Sequence, residues 1–96
     1  MKTLHLINKP GQPLKLCQRV LADNDALMLI EDGVYLLSAQ QDTLNKNTGN
    51  HIIYALHADI KARAVEYNIA TMAVTVVDYT SFVKLTVDYD RVISWF

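Results

Sequence analysis

The chain has 96 residues, of which 51% are hydrophobic, and its nine basic and ten acidic side chains give a net charge of −1. This charge balance lacks the basic excess of nucleic-acid-binding domains, which argues against direct nucleic-acid binding. A domain of this size buries only about 60–65% of its unfolded surface, so its stability margin is thin. The high apolar content leaves two alternatives, an apolar face covered by a partner or a tightly packed monomer.

Three features predict the cellular compartment. A single cysteine excludes an internal disulfide framework. Met1 and Lys2 lead directly into a short candidate strand, so no secretion signal is expected. No apolar stretch approaches the ~20 residues that a membrane-spanning helix requires. We therefore expect a cytoplasmic protein without a membrane partner.

The first third of the chain predicts a strand, a helix and a second strand. Residues 3–7 form a short β-type run that ends in the turn formers of residues 8–11. Pro13 is suited to the first turn of a helix. One face of that helix is apolar: Leu14, Cys17, Val20 and Leu21. After the polar residues 23–25, the unbroken apolar run 26–30 predicts a strand buried on both faces.

The middle of the chain continues this alternation. Residues 34–39 predict one or two helical turns, and the polar residues 40–50 predict a mobile surface loop. Residues 51–56 predict a third strand and residues 58–65 a helix. Residues 71–77 predict a fourth buried strand, which ends at an acid, Asp78.

The last segment fits two periodicities. Asp78 suits the cap of a helix that begins at Tyr79, although the apolar spacing from Phe82 to Val87 also fits a strand. We favour the helix, because a strand here would need a chain reversal that the sequence lacks. Residues 91–96 then form a fifth strand or an extended tail. The predicted fold class is α/β, a single small domain with flavodoxin-like layering: a mostly parallel five-stranded sheet with helices on both faces.

Cys17 is the candidate nucleophile. Carrying sulfur as a persulfide requires an exposed thiol with a lowered pKa, for which Lys15 and Arg19 are the nearby cations. The alternative is a core thiol, because Cys17 shares its helical face with Leu14 and free cysteines are often buried. The sequence leaves both open.

No metal or cofactor site is expected. His5, His51 and His57 lack metal-ligand spacing, and Gly33 and Gly49 are isolated rather than part of a phosphate-binding loop. His57 follows the third predicted strand directly, where α/β proteins often bind ligands.

Three acids, Glu31, Asp32 and Asp78, follow predicted strands. Because carboxyl ends of parallel strands share one edge of a sheet, these acids could line a shared cleft. The alternative is turn formation and helix capping, which we favour for Asp78.

Aromatic residues cluster towards the end of the chain. Five of the eight lie in the last 18 positions: Tyr79, Phe82, Tyr89, Trp95 and Phe96. Large aromatic side chains are enriched at the centres of protein interfaces, whereas the alternative is that they cover the edge of a small core. We favour an interface and take Tyr79, Phe82, Trp95 and Phe96 as its candidate residues.

Several sequence blocks carry a family resemblance. They are residues 4–5 with 8–9, Cys17, residues 29–35 (LIEDGVY), 54–56 (YAL) with 59–63 (DIKAR), 77–86 (VDYTSFVKLT) and 94–96 (SWF). This combination resembles the TusB/DsrH family over nearly the whole chain, and the resemblance implies that residues 1–96 form a single domain of this family. The block 77–86 ahead of a tryptophan-containing tail is its most specific part.

The resemblance implies a DsrE-like fold and a small subunit of a heterohexameric sulfur-relay complex. Its companions would be TusC/TusD-like or DsrF/DsrE-like chains. In the Tus branch, sulfur passes from a TusA-like donor to a TusE-like acceptor for 2-thiolation of the tRNA wobble uridine. In the Dsr branch, a similar complex serves sulfur oxidation.

The resemblance also bears on catalysis. The sulfur-accepting cysteine of such complexes belongs to the TusD chain, and this sequence has no cysteine at that place. Cys17 matches a first-helix cysteine of DsrH-type members instead. We therefore expect a mainly structural, non-catalytic subunit. The alternatives are a DsrH-type subunit in sulfur oxidation, in which Cys17 handles persulfide, and a homo-oligomeric interaction module.

Overall fold

Five parallel strands form the centre of the described fold. The computed structural model describes residues 1–38, 51–67 and 74–96, which contain β1 (Thr3–Ile7), β2 (Ala26–Leu29), β3 (Ile52–Leu56), β4 (Val74–Val77) and β5 (Arg91–Trp95). Their order across the sheet is β4-β3-β2-β1-β5, and every neighbouring pair is parallel. The predicted α/β class and five-stranded sheet are confirmed.

Helical segments connect the strands. In the described part of the chain they are α1 (Gln12–Gln18), a 3₁₀ helix (Glu31–Leu37), α2 (His57–Ala62) and α3 (Tyr79–Asp88). The helix favoured after Asp78 is therefore confirmed, and the final segment is a strand that pairs with β1.

An apolar layer covers each face of the sheet. On the first face, the buried residues of β1, β2 and β3 pack with α1, the 3₁₀ helix and α2: Ile7, Leu14, Cys17, Leu27, Leu29, Val34, Leu36, Leu37, Ile53, Ala55 and Ile60. On the second face, Phe82 and Leu85 of α3 pack on a smaller cluster that includes Leu4 and Met28. β2 is buried along its whole length, as its unbroken apolar run predicts.

Topology explains this division. The steps from β1 to β2, β3 and β4 all move in one direction across the sheet, so right-handed crossovers lie on the same face. The connection from β4 to β5 returns in the opposite direction and carries α3 on the second face. A helix is about 10 Å wide, whereas five strands span about 19 Å between their outer axes. Among the described elements, α3 therefore covers only part of the second face.

Two predicted helices end earlier than expected. After α1, the N–H groups of Arg19 and Val20 bond to carbonyls three residues back, which tightens the chain and leaves Val20 54% exposed rather than on the apolar face. The predicted helix 58–65 ends at Ala62, because Ala64 adopts a left-handed conformation with φ of 50°. Val65 N–H then bonds to the Ile60 carbonyl, which completes a Schellman motif.

The prediction of a buried fourth strand is also wrong in part. β4 is an edge strand whose valines are half-buried and whose Thr75 is exposed, because only one side of it has a neighbouring strand. The rest of that prediction, residues 71–73, lies outside the described residues, as does the predicted loop 40–50. No helix within the described ranges is long and apolar enough to cross a membrane.

Asp78 begins α3 as its N-cap. Its Oδ1 accepts a 2.8 Å hydrogen bond from the Ser81 N–H, and this bond holds the pKa of Asp78 below its ordinary value. Asp78 therefore caps a helix, as favoured from the sequence, and does not line a shared cleft.

We expect Asp78→Ala to lower the urea midpoint of unfolding and Asp78→Asn, which keeps a capping oxygen, to lower it less. Because the folded pKa is lowered, the contribution of the charge is present above the ordinary pKa of an aspartate and is lost as the pH falls through the folded pKa. Asp88→Ala, at the other end of α3, is the matched control. Equal midpoints for Asp78→Ala and Asp88→Ala would contradict this assignment.

Candidate functional site

Cys17 lies in the core of the first face. Its side chain has no exposed surface and packs among Ile7, Leu14 and Leu27. Burial, and secondarily the negative charge of Asp25, raises the pKa of the thiol to about 12. The thiolate is the nucleophile in sulfur chemistry, so this thiol is protonated and shielded in the described fold. Of the two alternatives that the sequence left open, the structure shows the core thiol. A persulfide-handling role for Cys17 stays a prediction.

A buried polar network lies beside this core. Asp25 Oδ1 accepts from Thr3 N–H at 3.0 Å, and Oδ2 accepts from Ala22 N–H at 3.1 Å and from His5 Nε2 at 2.8 Å. Trp95 Nε1 donates to His5 Nδ1 at 3.0 Å, and the two rings stack with centroids 6.2 Å apart. Because an indole N–H only donates, His5 Nδ1 is the acceptor and Nε2 carries the hydrogen that Asp25 accepts. From the sequence, Asp25 is counted only among the polar residues 23–25 that precede β2.

Acids collect at the carboxyl edge of the sheet, as expected, but only some lie in contact. Arg63 Nε bonds to Asp32 Oδ1 at 2.7 Å, and Arg63 Nη1 bonds to Asp59 Oδ1 at 3.3 Å. The hydrogen bond to Asp32 raises the pKa of the Arg63 guanidinium. Asp59 Oδ2 also accepts from the Glu31 backbone N–H at 2.7 Å and fixes Glu31 at a φ of 49°. Sequence reasoning missed Asp59 and Arg63, although both lie within the quoted DIKAR block.

A small cleft lies at this edge, between the ends of β2 and β3 and the start of α3. Its volume is about 160 Å³, and apolar, aromatic and acidic side chains line it: Ile30, Glu31, Leu56, Asp59, Tyr79 and Phe82. Asp32 and Asp78 lie outside this lining, so the predicted shared cleft contains only Glu31 of the three acids. Among the described residues, the Glu31 carboxylate makes no hydrogen bond or ion pair.

The four candidate interface aromatics divide into two pairs. Phe82 packs into the second-face cluster, and Trp95 is held by His5, so both rings are largely used within the chain. Tyr79 is 58% exposed and Phe96 is 72% exposed, so these two are available to a partner. Tyr89, the fifth clustered aromatic, is buried in the second-face cluster.

The remaining histidines, His51 and His57, flank β3. His51 Nε2 donates to the Ala22 carbonyl at 2.8 Å, and His57 is exposed at the start of α2. Over residues 1–38, 51–67 and 74–96, no three histidine, cysteine or acidic residues are arranged to hold a metal ion.

Comparison with known proteins decides the family. A family model described as "DsrH like protein" matches residues 10–92. The proteins named TusB from Salmonella arizonae, Salmonella newport and Salmonella enteritidis are each 40% identical to this chain over 78 residues, which cover 80% of this chain and 81% of theirs. The chain belongs to the TusB/DsrH family. The family resemblance of its sequence is confirmed. Membership of this family makes the chain a sulfur-relay subunit. The family match includes Cys17, the cleft and α3, and ends before Trp95.

Proposed function

We propose that this chain is a mainly structural subunit of a cytoplasmic heterohexameric complex that relays persulfide sulfur towards 2-thiolation of the tRNA wobble uridine. The observation that carries the proposal is the burial of Cys17 in a TusB/DsrH family member. The chain has no other cysteine, so a fold that keeps this thiol protonated and enclosed suits assembly better than sulfur transfer.

The partners of the proposed complex are TusC/TusD-like companion chains, with a TusA-like donor and a TusE-like acceptor acting through the assembly. The incomplete cover of the second face supports a companion there, since exposed apolar patches mark interaction surfaces. RNA is the beneficiary of the relay and not a ligand of this chain, in keeping with its net charge of −1.

Co-purification tests the proposal. The tagged chain, expressed in its native host, is expected to bring down two companion chains in equal amount, and its deletion is expected to remove 2-thiouridine from tRNA. Recovery of the chain alone, together with unchanged tRNA thiolation, would overturn the proposal. Unchanged thiolation with impaired sulfur oxidation would favour the DsrH-type alternative, and a stable homo-oligomer would favour the interaction module.

Cys17 distinguishes a structural from a sulfur-handling role. We expect Cys17→Ala to restore tRNA thiolation in a deletion strain to the parental level, because alanine fills most of the same buried space and the thiol takes no part in transfer. Leu14→Ala, a truncation in the same cluster, is the control for destabilisation. A folded Cys17→Ala chain that assembles normally but restores less than about a tenth of the thiolation would assign sulfur handling to Cys17.

A further inference from the structure

The outer side of α3 carries an apolar stripe. Tyr79, Val83 and Val87 follow one another at four-residue spacing and are 58%, 60% and 77% exposed. Residues at this spacing share one side of a helix, so the stripe runs for about 12 Å. Phe82 and Leu85 already pack α3 onto the sheet. The stripe is therefore left exposed after the helix has made its own core contacts.

The stripe leads into the cleft at the carboxyl edge, because Tyr79 belongs to both. The lining of the cleft combines apolar side chains, among them Leu56 and Phe82, with two acids, Glu31 and Asp59. Arg63 forms ion pairs with both Asp32 and Asp59, whereas the Glu31 carboxylate has no partner among the described residues. The stripe and the cleft together form what we call the α3 docking surface.

The cleft has the size and chemistry for one basic side chain. At about 160 Å³ it is smaller than the roughly 300–1,000 Å³ of pockets that hold cofactors or metabolites. The apolar stem of a lysine or arginine can pack on the apolar residues of the lining while its charged head contacts Glu31. The Tyr79 ring at the edge offers the same head a cation–π contact.

We propose that the α3 docking surface binds a companion chain that lays an apolar ridge along the stripe and inserts one lysine or arginine side chain into the cleft. This inference rests on the proposed function, since that function supplies the companion. A second copy of this chain fits less well. An antiparallel pair of α3 helices crossing at Val83 would bring the two Lys84 ammonium groups together at the two-fold axis.

The test uses the tagged chain co-expressed with the companion chains, with the captured companion quantified by native mass spectrometry. Val83→Asp is expected to reduce capture at least about tenfold, as loss of a central apolar contact does. Glu31→Lys is expected to reduce companion capture to a similar extent, and Glu31→Gln is expected to reduce it less. The difference in capture between the parent and the Glu31 variants should become smaller at high salt, because salt screens the ion pair. Val20→Asp and Glu66→Lys, at exposed positions that belong neither to the stripe nor to the cleft lining, are matched controls expected to capture normally.

Each result bears on a different claim. Normal capture by both Val83→Asp and Glu31→Lys would overturn the docking surface and leave the proposed function intact. Loss of companion capture with Val83→Asp but not with Glu31→Lys would overturn the proposal that a basic side chain enters the cleft. No capture by the parent would overturn both proposals. A homodimer of the parent that Val83→Asp dissociates would make the occupant a second copy. Matching circular dichroism spectra and thermal melts are required of every variant.

Discussion

Asp25→Ala is expected to lower the free energy of unfolding by about 3 kcal/mol, because it leaves several buried donors without an acceptor. The carboxylate of Asp25 accepts from two backbone N–H groups, of Thr3 and Ala22, and from His5 Nε2. Asp25→Asn should lower the free energy of unfolding by less. The side-chain oxygen of the asparagine can still accept from the Thr3 N–H, whereas its NH₂ group cannot accept from His5 Nε2. Urea unfolding followed by Trp95 fluorescence measures both variants and also reports on the indole that His5 holds.

The same network predicts how stability depends on pH. Burial alone would raise the pKa of Asp25, but the hydrogen bonds from His5, Ala22 and Thr3 outweigh burial, and the folded pKa lies below its ordinary value. The charge of Asp25 therefore stabilises the fold above the ordinary aspartate pKa of about 3.9, and this contribution is lost as the pH falls through the folded value. The stability gap between the parent and Asp25→Asn should shrink on acidification from pH ~7 to pH ~3.

Asp23→Ala is the matched control for Asp25, because Asp23 is an exposed acid two residues away. It should unfold within about 0.5 kcal/mol of the parent. If Asp25→Ala were no less stable than Asp23→Ala, or if the gap to Asp25→Asn stayed constant with pH, the network would not stabilise the fold as argued.

Local patterns were sufficient to predict most of the architecture. The apolar run of β2 and the cap at Asp78 are signals carried by a few neighbouring residues, and the structure confirms both. The polar network depends on residues 20 and 90 positions apart, His5 with Asp25 and His5 with Trp95. No local pattern predicts such pairing, so from the sequence Asp25 is placed only among the polar residues before β2 and Trp95 in an interface.

The candidate site shows the same division. The burial of Cys17 follows from the apolar helical face that it shares with Leu14. This shared face is what makes a core thiol one of the two alternatives named from the sequence. A cleft with Glu31 at this edge of the sheet is predicted, but the part of Asp59 is not, because Asp59 follows a different strand from Glu31 and no local pattern relates the two. The edge position of β4 likewise follows only from the strand order.

Gly33→Ala is the second change with a large expected effect, because the 3₁₀ helix passes very close to the end of β1. An added Cβ at Gly33 would lie 2.1 Å from the Ile7 carbonyl oxygen and 2.9 Å from its carbon. These are backbone atoms, and the same oxygen accepts the 3.0 Å hydrogen bond from the Ile30 N–H. Relief of the clash must therefore displace the junction of β1 and β2. We expect a loss of about 3 kcal/mol in the free energy of unfolding.

Gly11→Ala separates this steric effect from the general cost of replacing a glycine. Gly11 has a φ of 92° and a ψ of −124°, which glycine adopts readily and other residues do not, but open space surrounds its Cβ position, so its substitution should cost only backbone strain, about 2 kcal/mol. Urea unfolding of the two variants measures the difference, and equal stabilities would contradict the close approach. Because Glu31 and the cleft lie two residues before Gly33, folded Gly33→Ala should also capture less companion chain than Gly11→Ala. This outcome would connect the packing of β1 against the 3₁₀ helix to the docking surface.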